Sequence, residues 1–130
     1  MQSLVEFHTP LLGDANLSEA RMGAKVYLAC RRVDAAEEAK QDIIKATGNS
    51  DLHIVRLDLS NFASIREFVA EMERREPEGV HVLVNNAGYV TQHNTVKING
   101  VMEIFAINQL GPFLLTNLLL PSIKVRIDFL

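Results

Sequence analysis

The sequence has a single cysteine, a small net charge and no long uninterrupted apolar run, and each of these shortages excludes a class of protein. With Cys30 as the one cysteine among 130 residues, no intrachain disulfide can form and a zinc site built from cysteines is excluded. Cys30 is expected to be a small buried hydrophobic residue. A formal net charge of −3 argues against a general nucleic-acid-binding surface. We predict no metal site.

The most apolar part of the chain, Leu110 to Ile123, is interrupted by Thr116, Asn117 and Pro121. It is also shorter than the roughly 20 residues that a membrane-spanning helix needs. The first residues lack the basic start of a signal peptide. The sequence therefore predicts no membrane span, and the chain as written is expected to be soluble and cytoplasmic.

What the sequence does contain is an alternation of short apolar strands with helices. A β-rich run at 24–29 precedes a helix with Asp34 as its expected N-cap, supported by Glu37 three residues later, and Gly48 as its expected C-cap. A second strand is predicted at 52–57.

The second helix carries the clearest amphipathic signature of the chain. Its apolar positions at i, i+3, i+4 and i+7 are Ile65, Phe68, Val69 and Met72. Pro77 marks its end, and a third strand follows at 80–84. After a polar loop, a long helix is predicted from about 101 to 120, with Pro112 as a potential kink.

Three strand–helix units in succession, joined by helix-length connections, favour right-handed crossovers and a parallel sheet. We therefore predict one α/β domain over 1–130, with an incomplete doubly wound parallel sheet. In such sheets, ligands lie beyond the carboxyl ends of the strands. Polar residues follow all three predicted strands, so their ends form the candidate site.

Arg31 and Arg32 follow the first of these strands, and Asp58 follows the second. In a dinucleotide-binding sheet, an arginine at the first place accepts a ribose 2′-phosphate. The alternative is a solvated basic pair at a strand end. Asp58 suits either a hydrogen bond to an adenine amino group or a cap on the helix that starts near Asn61.

The third strand ends in VLVNNAGYV, with two adjacent amides and two small residues. Asn85 and Asn86 offer donors and acceptors that can tie the loop to neighbouring strands. Ala87 and Gly88 would let a ring or ribose come close to the backbone. A plain turn does not require four such residues directly after a buried strand.

Asn108 lies within FAINQLGPFLLTNLLL, in the middle of an otherwise apolar helix. A buried asparagine needs hydrogen-bond partners. It could bend the helix through a water or take part in a proton relay, and its position alone leaves both roles open.

Four blocks of this sequence resemble the short-chain dehydrogenase/reductases, and most closely their retinol dehydrogenase-like branch. The blocks are GAKVYLACRR, LDLSNFASIREF, VHVLVNNAGYV and FAINQLGPFLLTNLLL, and the resemblance covers about residues 23–121. It implies a Rossmann-type domain that binds NADP and transfers hydride between NADP(H) and a retinoid or another lipid-like alcohol or carbonyl. Relatives in this branch are often tied to membranes.

The resemblance also assigns roles to individual residues. It implies that Arg31 holds the 2′-phosphate of NADP, beside Arg32, and that Asp58 and Leu59 lie beside the adenine. A second set is implied to line the cofactor and stabilise the central sheet: Asn85, Ala87 and Gly88. Asn108 matches the helix asparagine of the catalytic tetrad, which positions a water, and Gln109 stands where the branch usually has histidine.

Two parts of the family pattern have no match in these 130 residues. The seven glycines, at 13, 23, 48, 79, 88, 100 and 111, do not form the glycine-rich turn that cradles the pyrophosphate. The family's general acid/base is a Tyr-x-x-x-Lys, whereas Tyr27 and Tyr89 are followed four residues later by Arg31 and His93.

The segments 1–17 and 122–130 do not match the family, so the chain resembles the middle of a dehydrogenase. Without the family's first strand, the third predicted strand would lack a neighbour and leave unpaired backbone at the sheet centre, which predicts poor stability. Ser3–Phe7 is the only candidate substitute.

Two functions follow as expectations. The first is an oxidoreductase-family chain that is catalytically incompetent alone, because the glycine-rich turn and the Tyr-x-x-x-Lys have no match. The second is a non-enzymatic binding module that pairs with an intact relative, or with a second copy, through the helix 101–120.

Overall fold

The computed structural model describes residues 3–7, 20–90 and 96–123, with the strand backbone alone for 3–7. The strands are β1 (Ser3–Phe7), β2 (Lys25–Cys30), β3 (Leu52–Arg56), β4 (Val82–Val84), β5 (Lys97–Ile98) and β6 (Val101–Met102). The helices are α1 (Val33–Thr47), α2 (Phe62–Arg75) and the long α3 (Glu103–Ser122).

Strands β1 to β4 form one parallel sheet in the order β3-β2-β1-β4. The predicted α/β class is therefore confirmed, whereas the predicted gap at the sheet centre is wrong. Strand β1 pairs with β2 from Ser3 opposite Lys25, and it pairs with β4 from Leu4 opposite Val82. Backbone pairing on both sides of β1 removes the physical reason that we gave for poor stability.

Helix α1 begins one residue before its predicted cap. Its N-cap is Arg32, whose side chain makes no capping hydrogen bond, and Asp34 lies inside the first turn. The predicted capping box is therefore wrong, although Asp34 still places a negative charge near the positive end of the helix dipole. The predicted C-cap is confirmed, because Gly48 adopts the left-handed conformation at φ 73° and its N–H donates to the Ile44 carbonyl.

Helix α2 begins after Asn61, whose side chain accepts hydrogen bonds from the N–H groups of Ala63 and Ser64 at 2.9 and 3.3 Å. The four predicted core positions of this helix are all buried: Ile65, Phe68, Val69 and Met72. They pack with residues of β2, β3 and α3 in the larger core cluster. The second cluster lies on the other face of the sheet, where Ile43 of α1 meets Leu28 and Leu52.

The chain between β4 and α3 departs from the predicted boundaries. Strand β4 spans three residues, and Val80 makes only an isolated bridge with Ile123. Residues Val101–Met102 belong to a short antiparallel hairpin with β5 rather than to the helix. Helix α3 then starts as α-helix over Glu103–Phe105.

Helix α3 changes its winding directly before Pro112. A π turn spans Ala106–Leu110, α-helix resumes over Gly111–Leu119, and a 3₁₀ turn over Leu120–Ser122 ends the helix. Proline lacks an N–H and its ring crowds the carbonyl four residues earlier, which in this helix is that of Asn108. A π turn at this place relieves both problems.

By length and composition, α3 is also able to cross a membrane, because it has 20 residues and few charges. The prediction that no segment reaches that length is therefore wrong. Only 22% of its apolar window is buried, and the residues of the helix that are fully buried include Leu115 and Leu119, which pack in the larger core cluster with residues of α2.

Candidate functional site

The carboxyl ends of β2, β3 and β4 lie along one edge of the parallel sheet, as the sequence predicts. The Leu57 N–H donates to the Cys30 carbonyl at 2.8 Å, so the chains leaving β2 and β3 are still hydrogen-bonded there. Arg31 and Asp58 are the next residue on each chain and are therefore neighbours. Arg31 and Asp58 thus follow adjacent strands at this edge, and the loop that follows β4 leaves the same edge with β1 between β2 and β4.

Arg31 and Arg32 are both exposed at the end of β2. The Arg32 guanidinium lies 3.8 Å from the Asp34 carboxylate, in an exposed ion pair. Such a pair contributes little to stability, about 0–1 kcal/mol. Both arginines are thus accessible at the edge where the strands end.

Asp58 does not cap α2, because Asn61 does. The Asp58 Oδ1 accepts hydrogen bonds from the Ser60 N–H at 2.9 Å and from the Ser60 hydroxyl at 2.6 Å. These contacts close an Asx turn that directs the chain from β3 into α2. The prediction that Asp58 caps α2 is therefore wrong, and its side chain stabilises the preceding turn instead. The contact of Asp58 with adenine stays a prediction.

Leu59 is buried beneath the same turn and meets α3 at Gly111. A Cβ built on Gly111 would lie 2.5 Å from the Leu59 carbonyl oxygen and 3.0 Å from the Leu59 Cβ. Only glycine lets the helix backbone come this close. Through this contact, α3 packs directly against the loop that follows β3.

The loop after β4 is held by two side chains of α3. The Asn85 Nδ2 donates to the Thr116 hydroxyl at 3.1 Å. The second side chain, that of Asn108, makes two hydrogen bonds to the backbone of Tyr89. Its Oδ1 accepts from the Tyr89 N–H at 2.8 Å, and its Nδ2 donates to the Tyr89 carbonyl at 2.7 Å.

Tyr89 is anchored a second time, through its hydroxyl. The Tyr89 O–H donates to the Glu103 carboxylate at 2.9 Å, and Glu103 opens α3. Ala87 packs partly against the larger core cluster, and Gly88 is exposed with open space where its Cβ would be. The loop that follows β4 is thus hydrogen-bonded to α3, and the space beside Gly88 is open.

The polar residues of α3 hold the loop that follows β4. The Asn108 side chain serves the backbone of the β4 loop, which is a role that the sequence left unassigned. Thr116, Tyr89 and Glu103 were missed as site residues. A polar side chain repeated within an apolar helix, as at Asn108 and Thr116, was the available signal.

A separate polar cluster lies at the amino end of the sheet. The Glu76 carboxylate accepts hydrogen bonds from the Tyr27 hydroxyl at 2.6 Å and from Lys25 Nζ at 2.8 Å. Burial raises the pKa of Tyr27, and the bond to Glu76 raises it further. Burial acts to raise the pKa of Glu76, but the bonds from Lys25 and Tyr27 outweigh it and leave that pKa below its ordinary value. This cluster ties the end of α2 to β2 and lies away from the candidate site.

The described residues fit part of an NADP molecule. The exposed arginines, the Asp58 turn and the open backbone at Gly88 follow the edge where an adenosine, its 2′-phosphate and a nicotinamide ribose would lie. Within 20–90 and 96–123, no glycine-rich turn offers N–H groups to the pyrophosphate. Those same ranges hold no group of three metal-ligating side chains.

Comparison with known proteins agrees with this geometry. The model of the family described as short chain dehydrogenase matches residues 16–127. Retinol dehydrogenase 11 from Mus musculus is 42% identical over 105 residues, which are 81% of this chain and 33% of that protein. Retinol dehydrogenase 13 from Homo sapiens is 42% identical over 108 residues, which are 83% of this chain and 32% of that protein. The chain thus spans about a third of the length of the curated relatives that it matches.

Solved structures share the fold over nearly the whole chain. An uncharacterized protein from Mycobacterium paratuberculosis superposes with a TM-score of 0.78 at 30% identity, covering 95% of this chain and 43% of that one. A metagenomic short-chain oxidoreductase in complex with NADP superposes with a TM-score of 0.73 at 25% identity, covering 93% of this chain and 56% of that one. The chain belongs to the short-chain dehydrogenase family, and its relatives include the retinol dehydrogenases.

Proposed function

We propose that this chain is the NADP(H)-binding portion of an oxidoreductase that transfers hydride to or from a retinoid or a similar lipid-like alcohol or carbonyl. The observation that carries the proposal is the convergence of the β2, β3 and β4 ends on one edge, with α3 holding the β4 loop. Relatives named retinol dehydrogenase support the substrate class, and a similar structure in complex with NADP supports the cofactor.

Each polar group at the edge has a proposed role. Arg31 binds the 2′-phosphate in a charge-assisted contact, with Arg32 beside it. Asp58 and Leu59 lie beside the adenine. One Asp58 carboxylate oxygen already accepts a hydrogen bond from the Ser60 hydroxyl. Asn85 keeps the β4 loop in place for the nicotinamide ribose.

Ala87 and Gly88 let that ribose approach the loop backbone. Asn108 acts as a positioning residue, because its side chain fixes the loop through the backbone of Tyr89. The bound cofactor would supply or accept the hydride.

We further propose that the 130 residues alone do not turn over substrate. A general acid must protonate the developing alkoxide, and the family's Tyr-x-x-x-Lys does not occur in this sequence. Purified chain with NADPH and retinal should therefore give no product above the rate without protein. Measurable turnover would contradict this proposal without touching the proposed cofactor site.

Cofactor binding is tested by titrating the chain with NADPH and, separately, with NADH while following the cofactor fluorescence. Reversing the charge in Arg31→Glu should weaken NADPH binding about tenfold or more, since about 1.4 kcal/mol corresponds to a tenfold change. NADH lacks the 2′-phosphate, so its weaker binding should change little.

Arg66→Glu is the matched control, because Arg66 is exposed on α2 and its guanidinium donates to the Phe62 carbonyl one turn earlier in the same helix. It should leave both titrations unchanged. Equal loss of NADPH affinity in the two variants would show a general charge effect and would remove the role given to Arg31.

A second candidate function is supported by the outer face of α3. Large apolar side chains are exposed there, with Phe113 64% and Leu120 59% accessible, together with Phe105. A stripe of this kind is typical of an interface. We propose that α3 pairs with a second copy or with an intact relative.

Light scattering tests the pairing. The chain should have the mass of a dimer, and Phe113→Glu should convert it to a monomer, whereas the exposed polar position Gln109→Glu should not. Co-purification with a full-length retinol dehydrogenase, lost in Phe113→Glu, would identify the heterologous pair. A monodisperse monomer in both experiments would exclude this function.

A further inference from the structure

The loop that follows β4, residues 85–90, contains no turn or bend, although its composition is typical of one. Among the described glycines, those with a positive φ are at 23, 48, 79 and 100, and Gly88 is not one of them. A Cβ on Gly88 would also meet no atom within 4 Å. Neither the backbone conformation nor internal packing therefore requires glycine here, so this position leaves room for a molecule from outside the fold.

Side chains of α3 hold this loop at both of its ends. Asn85 is hydrogen-bonded to Thr116. The backbone of Tyr89 is hydrogen-bonded to Asn108, eight residues earlier in the helix, which corresponds to a rise of about 12 Å. The four residue steps from Asn85 to Tyr89 can span about 13–14 Å. Because the two spans are similar, the loop runs extended along α3, and the position of Gly88 depends on where the ends of the loop are fixed.

A third contact acts on the side chain of Tyr89. Its hydroxyl donates to the Glu103 carboxylate at 2.9 Å, and both residues are half-buried. A hydrogen bond to a carboxylate is stronger than one between two neutral groups. With its backbone bonded to Asn108 and its hydroxyl to Glu103, Tyr89 is fixed at both of its ends, and it directly follows Gly88.

The backbone of Glu103 is held in turn by the hairpin of β5 and β6. The Glu103 N–H donates to the Val96 carbonyl at 2.9 Å. The hairpin turns at Asn99 and Gly100, whose φ angles of 51° and 85° are both left-handed, as a two-residue type I′ turn requires. Asn-Gly strongly favours this turn, so the hairpin fixes the place of Glu103 independently of its side chain.

We propose that Glu103 is a positioning residue for the nicotinamide half of NADP(H), and that it acts through the Tyr89 hydroxyl on the open backbone at Gly88. This inference rests on the cofactor site proposed above. The contacts proposed for the adenosine half, Arg31 and Asp58, follow β2 and β3, and β1 separates those strands from β4. Loss of the bond between Tyr89 and Glu103 should therefore weaken the binding of the nicotinamide half alone.

Calorimetric titration with two ligands tests this division. NADPH carries both halves of the cofactor, whereas adenosine 2′,5′-bisphosphate carries only the adenosine half with its 2′-phosphate. Tyr89→Phe removes only the hydroxyl and should weaken NADPH binding by about three- to tenfold, the range of a single hydrogen bond. The affinity of the same variant for the bisphosphate should stay unchanged.

Variants of the carboxylate show whether Glu103 acts through Tyr89. Glu103→Gln keeps an acceptor oxygen at the same reach, so it should retain most of the NADPH affinity that Glu103→Ala loses. Because the two groups act as one unit, adding Glu103→Ala to Tyr89→Phe should cause no further loss. Glu67→Ala, at an exposed position of α2, is the control for removal of a carboxylate and should change neither titration.

Three results would overturn the inference. The first is an equal loss of affinity for both ligands in Tyr89→Phe, which would show an effect on the whole site. The second is an unchanged NADPH affinity in both Tyr89→Phe and Glu103→Ala. The third is equal affinity of the natural chain for NADPH and the bisphosphate, which would leave the site given to Arg31 intact. Binding of neither ligand by the natural chain would overturn the proposed cofactor site, and this inference with it.

Discussion

The close approach of Gly111 to Leu59 allows a sharp test of how α3 is seated on the sheet. In Gly111→Ala, the new methyl carbon would lie 2.5 Å from the Leu59 carbonyl oxygen. That is about 1 Å inside the 3.5–4.0 Å at which non-bonded atoms attract each other best. The obstacle is a backbone oxygen in the turn that follows β3, so no side-chain rotation can relieve the contact.

Two opposing effects set the magnitude. Alanine is favoured over glycine inside a helix by about 1 kcal/mol, whereas overpacking a tight contact costs about 1–3 kcal/mol. Because the contacted backbone is fixed by its turn, we expect the cost of overpacking to lie in the upper part of its range, about 2–3 kcal/mol, which leaves a net loss of about 1–2 kcal/mol. For a domain of this size, the melting temperature should then fall by roughly 3–8 °C.

Urea denaturation followed by far-UV circular dichroism measures this difference, with the m-value as a check that the folded state keeps its compactness. Gln109→Ala is the control on the same helix, since that side chain is exposed and its replacement should change stability by less than about 0.5 kcal/mol. If Gly111→Ala were at least as stable as the natural chain, the predicted clash would be refuted, because the higher helix propensity of alanine would then determine the change in stability.

Three further predictions concern other contacts. Asn108→Ala removes both hydrogen bonds to the backbone of Tyr89 and should speed exchange of the Tyr89 amide by at least about tenfold, whereas slow exchange in the variant would show that the loop does not depend on this grip. Asn61→Ala removes the cap of α2 and should reduce the free energy of unfolding by about 1 kcal/mol in urea denaturation; an unchanged midpoint would contradict the capping role. The lowered pKa of Glu76 means that its stabilising effect is present above the ordinary glutamate pKa and is lost as the pH falls through its folded-state pKa. Below about pH 4.5, the stability of Glu76→Gln should therefore fall less steeply than that of the natural chain, as measured by thermal melts across that range. If the melting temperatures of the two proteins fell in parallel, the stabilising role given to the Glu76 carboxylate would be refuted.

Local signals in the sequence predicted the elements that depend on local chemistry. The apolar spacing of α2 gave its buried face, and Gly48 gave the end of α1, because helix periodicity and a left-handed cap are decided within a few residues. The start of α1 was placed wrongly because Asp34 is an equally good residue inside a first turn, where its charge meets the helix dipole.

Features that depend on distant partners could not be predicted. The segment Ser3–Phe7 carries no glycine signature, and its central place is decided by pairing with β2 and β4 together. The family resemblance pointed to Asn108, but the role of its side chain emerged only from its contact with Tyr89. Thr116 was missed because a hydroxyl in an apolar helix most often bonds to its own helix, and its repeat with Asn108 gives no hint of the partner, Asn85, on a distant strand end.

The π turn in α3 determines which residues of the helix can reach the β4 loop together. Asn108 and Thr116 both contact that loop, and eight residues of regular α-helix turn through about 800°, which would leave two such side chains about 80° apart. A π turn takes up an extra residue and so reduces that angle. Helix winding and loop position are therefore coupled: if α3 rewound into a regular helix, it could keep hold of one end of the loop and would have to release the other.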